Sequence, residues 1–157
     1  MNGGNSLPER SKVQILFVCT GNTCRSPMAE YLFNSLTEEN SFHAVSAGLY
    51  AFDGEAMSEN SLAVLEENGI DGSSFRSQSV TYELMENSHL VIAMTASHLA
   101  ELQMRYGEFA GKCRTLTEFS GSCGISDPFG QNIAVYRRTF CEIKQNLENW
   151  INFLNNK

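Results

Sequence analysis

Apolar residues recur along this chain in two alternating rhythms. Val13-Gln14-Ile15-Leu16-Phe17-Val18 is a β-branched and aliphatic run of strand length, and the segment from Pro27 to Glu39 carries Met28, Leu32 and Leu36 at helical spacing. Ala44 to Ala47 predicts a second, short strand, and Ala56 to Asn68, with Ser61, Leu62 and Leu65, predicts a helix closed by Gly69. Thr81 to Asn87 suits a short helix before the apolar strand Leu90-Val91-Ile92-Ala93-Met94, after which Thr95 or Ser97 can cap a helix over Leu99 to Tyr106. A fourth strand is expected over Lys112 to Leu116. Tyr136, Phe140, Ile143, Leu147, Trp150 and Leu154, at steps of three and four, mark a last helix whose stripe is core packing and not a cofactor box.

Strands that alternate with helix-length crossovers imply an α/β fold, a four-stranded parallel sheet with helices on both faces in a flavodoxin-like order. Residues 1–157 are expected to form a single domain, with 1–11 a flexible N-terminal extension. Ligands of such sheets bind at the carboxyl edge of the strands. That rim should collect the loops Cys19 to Arg25, Leu49 to Gly54, Thr95 to His98 and Phe119 to Gly130.

Composition narrows the class. The 157 residues are 42% hydrophobic, enough for one substantial core, and no low-complexity tract or repeat interrupts them. Met1 to Lys12 lacks an apolar stretch of signal-peptide length, and no apolar run can span a bilayer, so a cytoplasmic protein without membrane contact is expected. Five cysteines, at 19, 24, 113, 123 and 141, show no secreted disulfide spacing, and those outside the loop are expected to pack in the core. A formal charge of -7 argues against nucleic acid as the main partner. The histidines His43, His89 and His98 are expected to be structural, with His98 alone on the rim, and the chain is expected to be a monomer.

The chemistry concentrates in Cys19-Thr20-Gly21-Asn22-Thr23-Cys24-Arg25-Ser26-Pro27, directly after the first strand. Ser26-Pro27 offers an N-cap hydroxyl followed by proline at the first helical position, so the loop joins a strand to a helix. Gly21 and Asn22 tolerate left-handed backbone angles, which lets successive amides turn inward as an anion nest at the positive end of the helix dipole. Arg25 adds a planar cationic fork for two phosphate oxygens, and the same surroundings favour Cys19 as the thiolate, the form that attacks phosphorus. Cys19 and Cys24 as zinc ligands rank low, because Arg25 beside them would repel a cation; no metal or cofactor is implied.

An acid is needed for the leaving group. Of the aspartates, Asp53 and Asp127 belong to the rim loops, whereas Asp71 follows a helix near the opposite edge. Asp127 is the choice, because Pro128 fixes the backbone before it and Phe129 can wall the leaving group. The bland alternative is that Asp127 opens an Asx turn. The expected reaction has Cys19 attacking phosphorus and Arg25 with the amides of Thr20 to Cys24 holding its oxygens. Asp127 acts as acid and then as base, through a phosphocysteine intermediate. Ser26 is expected to hydrogen-bond the sulfur, and Asn22 to hold the turn.

The segment Leu16 to Glu30, with Asp127-Pro128-Phe129-Gly130, resembles the two signatures of the low-molecular-weight protein tyrosine phosphatase family. Ser46-Ala47-Gly48 and Arg76-Ser77 are similar to further landmarks of that family, and the resemblance spans nearly the whole chain. It implies phosphorylated proteins as substrates and suggests that Cys24 traps oxidised Cys19 as a disulfide, beside the plain reading of a small buried side chain. Thr23 and Phe129-Gly130 depart from the usual tyrosine phosphatase pattern and resemble the protein arginine phosphatase branch. A β-branched hydroxyl and a missing second aromatic predict a smaller, more polar pocket, which favours phosphoarginine over phosphotyrosine. Arsenate reductase would need thiols in the middle loop, where Ser73-Ser74-Phe75-Arg76-Ser77-Gln78-Ser79 stands; a silent phosphoresidue-binding module would leave Cys19, Arg25 and Asp127 unexplained.

Overall fold

A computed structural model describes residues 12–37 and 41–156. The first strand, β1 (Val13–Cys19), leads into α1 (Arg25–Leu36), and β2 (Phe42–Gly48) is followed by α2 (Glu59–Glu67) and the short α3 (Tyr82–Asn87). Then come β3 (Leu90–Ala93), α4 (Ala96–Arg105), a 3₁₀ turn over Gly107–Lys112, β4 (Cys113–Thr115) and the long α5 (Ile133–Asn155). The expected N-terminal extension and the far end of the first helix, Glu38 and Glu39, lie outside the described residues.

The four strands are parallel in the order β2-β1-β3-β4, the flavodoxin-like arrangement expected. β1 lies inside the sheet, so both its faces are covered and its apolar run is continuous instead of alternating. Ile15 and Phe17 pack with α1, α2 and α5 residues such as Met28, Leu65 and Ile143, while Leu16 and Val18 pack with Met85 and Leu102 of α3 and α4. Trp150 of α5 donates its indole N–H to the carbonyls of Thr115 and Leu116, tying the last helix to the β4 edge. Among the described residues, no helix is long and apolar enough to cross a membrane.

Capping explains most helix starts. Ser58, Thr81, Thr95 and Asn132 each accept a backbone N–H two or three residues inside α2, α3, α4 and α5. Gly69, at φ +75°, closes α2: its amide donates to Glu66 and that of Ile70 to Leu65. The first helix differs from expectation. It begins at Arg25 with Cys24 as N-cap and no side-chain cap, so Ser26 and Pro27 are its second and third residues. Proline is tolerated there because first-turn amides lack a partner within the helix in any case. The Ser26 hydroxyl is committed to the loop instead.

Two cysteines also depart from expectation. Cys113 is buried, but Cys123 and Cys141 are exposed: the first sits in the loop after β4, the second on the outer face of α5. All five cysteines are free thiols.

Candidate active site

The loop after β1 is folded around the amide of Asn22. Its backbone takes φ 58°, the one left-handed non-glycine position among the described residues, whereas Gly21 stays out of that region despite its freedom. Asparagine accepts this conformation because its side chain repays it. Oδ1 of Asn22 accepts the backbone N–H of Gln78 at 2.9 Å, which fixes the amide's orientation, and Nδ2 donates to both Ser26 and Ser46 hydroxyls at 2.9 Å. Each serine must then send its own hydrogen elsewhere. Ser26 turns toward Cys19 Sγ at 2.8 Å, and Ser46 donates to Glu30 Oε1 at 2.6 Å. The chain of donors therefore ends on the sulfur at one end and on a carboxylate at the other.

The loop is held by close backbone packing as well. Gly48 pairs with Cys19 across β1 and β2, and a Cβ there would stand 2.5 Å from the Thr20 carbonyl oxygen and 3.0 Å from the Asn22 nitrogen. Leu49 and Tyr50 donate to the carbonyls of Cys19 and Thr20, and Ser58 donates to that of Thr23. With carbonyls engaged outward, the amides from Thr20 to Arg25 have no acceptor among the described residues. At the uncapped start of α1, such amides form an anion-binding cradle.

A cavity of about 210 Å³ opens over this loop, lined by Cys19, Thr20, Gly21, Asn22, Thr23, Cys24, Arg25, Asp127 and Phe129. Every residue expected at the site lines it except Ser26, which lies fully buried beneath the sulfur. Arg25 is buried: Nη1 donates to the Ile125 carbonyl at 3.0 Å, and Nη2 lies 3.5 Å from Asp127 Oδ2. Asp127 is half-exposed, and its Oδ1 accepts the Phe129 N–H at 3.1 Å. The Asx turn and a site carboxylate are therefore compatible: one oxygen shapes the turn while the other faces the guanidinium. Phe129 is 71% exposed at the mouth.

The segment bearing Asp127 is fastened to the rim. Ile125 donates to the Met94 carbonyl, Ala96 to that of Cys123, and Gly124 lies so close to Thr95 that a Cβ would meet its Cα at 2.6 Å. Asp53 serves the neighbouring loop by accepting the Ser79 N–H, and Asp71 accepts the Ser73 N–H beyond α2; neither lines the cavity.

Cys24 Sγ lies 3.4 Å from the Tyr136 hydroxyl and 3.5 Å from the Ser58 hydroxyl. Burial, followed by the Cys24 contact, pushes the Tyr136 phenol up to about 12. Of two further supports, Glu30 was not foreseen from the pattern of residues, and His98 was foreseen only as a structural residue of the rim. Glu30, packed under the loop, has its carboxyl pushed up to about 7 by burial, against the pull of Ser46. His98 is buried with Nε2 at 2.8 Å from Thr20 Oγ1, so its place is against the loop itself. Its position in the turn entering α4, on the catalytic rim, was the available signal.

Residues 14–157 match the family model described as low molecular weight phosphotyrosine protein phosphatase. The protein-arginine-phosphatase of Bacillus subtilis is 40% identical over 137 residues, covering 85% of this chain and 91% of that one. The low molecular weight protein-tyrosine-phosphatase PtpB of Staphylococcus haemolyticus is also 40% identical, over 129 residues, covering 82% and 90%. Among solved structures, the YwlE arginine phosphatase from Geobacillus stearothermophilus superposes with a TM-score of 0.87 at 38% identity, covering 92% of this chain and 94% of that one. A thiol loop on the carboxyl rim and a match along nearly the whole chain lead to one conclusion: this protein belongs to the cysteine-based low molecular weight phosphotyrosine protein phosphatase family.

Proposed function

We propose that this phosphatase hydrolyses phosphoarginine in proteins. The observation that carries the reading is Thr23, which lines the small cavity beside Cys19 and Asp127. Its β-branched hydroxyl narrows the space above the loop and adds polarity, which suits a slim guanidinium better than a phenyl ring. Gly130, at φ +79° directly after Phe129, brings no second aromatic wall. The names of the relatives from Bacillus subtilis and Geobacillus stearothermophilus support the same reading.

Cys19 attacks phosphorus, and the amides of Thr20 to Cys24 with Arg25 hold the equatorial oxygens. The Ser26 hydrogen, directed at Cys19 Sγ by the Asn22 amide, stabilises the sulfur as nucleophile and later as leaving group. Asp127 protonates the departing nitrogen and, as its conjugate base, draws a proton from the water that splits the phosphocysteine. On substrate binding, Asp127 exchanges its contact with Arg25 for the leaving group. We place the enzyme in the cytoplasm, where a reducing medium keeps Cys19 a thiol.

A second reading, phosphotyrosine, is favoured by the exposed Phe129 ring at the mouth and by the similarity to PtpB of Staphylococcus haemolyticus. Turnover of matched phosphoarginine and phosphotyrosine peptides separates the two. The wild type should prefer phosphoarginine and Thr23→Ile should shift toward phosphotyrosine; a wild type that prefers phosphotyrosine refutes the assignment. Cys19→Ser should bind inorganic phosphate without turnover, and residual turnover would refute the phosphocysteine route.

A further inference from the structure

His98 and Thr20 form a polar pair that the two-step reaction leaves unused. Thr20 is exposed and lines the cavity, and its Oγ1 lies 2.8 Å from Nε2 of the buried His98. The other ring nitrogen, Nδ1, lies 3.0 Å from Thr95 Oγ1, the cap of α4, which also accepts the His98 backbone N–H at 3.1 Å. The Ser97 hydroxyl is 3.2 Å from the same oxygen.

The protons can be placed. Burial first, and then the charge of Arg25, push the imidazole down to about 4, so it is neutral near pH 7 and carries one N–H and one lone pair. Nε2 faces the loop, where Arg25 and the unengaged amides concentrate positive potential, so we assign the lone pair to Nε2 and the proton to Nδ1. Thr95 Oγ1 then accepts the backbone and ring N–H groups and sends its own hydrogen to Ser97. Thr20 donates its hydrogen to Nε2, which leaves its oxygen as an acceptor only.

The geometry points to Thr20 as a specificity residue, oriented by His98 so that its hydroxyl oxygen accepts a hydrogen bond from the guanidinium of phosphoarginine. This assignment rests on the phosphoarginine reading of the site. The substrate's guanidinium brings N–H donors into the cavity, whereas a phenyl phosphate brings none beyond the phosphoryl group. An oxygen that can only accept therefore discriminates between them. Asp127 serves the leaving nitrogen, and Thr20 takes a neighbouring N–H from the loop side. His98 touches no substrate and is a positioning residue.

The test is the ratio of kcat/KM for a phosphoarginine peptide to that for a phosphotyrosine peptide of the same sequence. Thr20→Val keeps the shape and removes the acceptor, and should lower the ratio about tenfold, the loss of one hydrogen bond to a charged group. Thr20→Ser should restore most of it. His98→Phe should move the ratio in the same direction by releasing the hydroxyl to rotate, and Thr20→Val in that background should add nothing further. Thr20 is exposed, so the Thr20 variants keep the proposal testable even if His98→Phe does not fold. An unchanged ratio in Thr20→Val, or a failure of Thr20→Ser to restore it, overturns the specificity role. An unchanged ratio in folded His98→Phe overturns the orientation by His98. A wild type without phosphoarginine turnover overturns the substrate reading together with this assignment; a wild type that prefers phosphoarginine, with Thr20→Val unaltered, overturns this assignment alone.

Discussion

Replacing Glu30 by glutamine should stabilise the protein at alkaline pH and do little in acid. Glu30 lies on α1 with its Oε1 2.6 Å from the Ser46 hydroxyl, and burial pushes the carboxyl from 4.5 up to about 7. The native state therefore holds this proton more tightly than the unfolded chain. Its stability contribution is complete below pH 4.5 and is lost as the pH rises through about 7. At about 1.4 kcal/mol per pH unit, the interval between those two values amounts to about 3 kcal/mol. Residual contact with solvent reduces this to about 2 kcal/mol. Glutamine keeps a carbonyl oxygen to accept from Ser46 and has no charge to desolvate. Thermal melting of wild type and Glu30→Gln from pH 5 to pH 8.5 should give curves that coincide near the acid end. They should separate by about 4–8 °C in favour of the variant at the alkaline end. Parallel curves across the range would refute the reasoning, as would a variant that is less stable at pH 8.5, because a buried carboxylate with a hidden partner would behave in that way.

Two further changes probe the loop and its acid. Gly48→Ala inserts a Cβ 2.5 Å from the Thr20 carbonyl oxygen and 3.0 Å from the Asn22 nitrogen, both backbone atoms that cannot step aside. It should cost about 1–3 kcal/mol in denaturant unfolding and distort the cradle enough to lower kcat/KM; wild-type values for both would show that the contact is not tight. Asp127→Asn removes the proposed proton donor while keeping the turn with the Phe129 N–H, and should lower kcat by about 10²–10⁴-fold, more for poor leaving groups than for activated aryl phosphates. An equal loss with both kinds of substrate would argue for a role in binding instead.

The fold and the core of the site were legible because each is written locally. A continuous apolar run followed by Cys19 to Pro27 specifies a buried strand, a turn and a helix start within one stretch of chain, and alternation of strands and helices then fixes which loops share a rim. The rim left Asp53 and Asp127, and Pro128 with Phe129 pointed to the second. What escaped was the partners of the polar side chains around the loop, because hydrogen-bond partners are set by packing across the sheet and not by spacing along it. Ser26 was expected both to cap the helix and to bond the sulfur, and only the second holds, because Asn22, locked by an N–H from Gln78, turns that hydroxyl toward Cys19. Glu30 and His98 occupy ordinary helical positions, and only the juxtaposition of α1 with β2 and of α4 with the loop gives them Ser46 and Thr20. The exposed Cys123 and Cys141 make the converse point: residue type suggests burial, but one lies on a loop and the other on the outer face of α5. The residues proposed to perform the chemistry, gathered around one cavity, were thus named from one short segment and one topological rule. Those that hold the loop belong to neighbouring elements of the fold: Ser46 of β2 and the Gln78 N–H fix Asn22, and His98 of α4 meets Thr20, so their roles are written in the packing and not in the loop's own sequence.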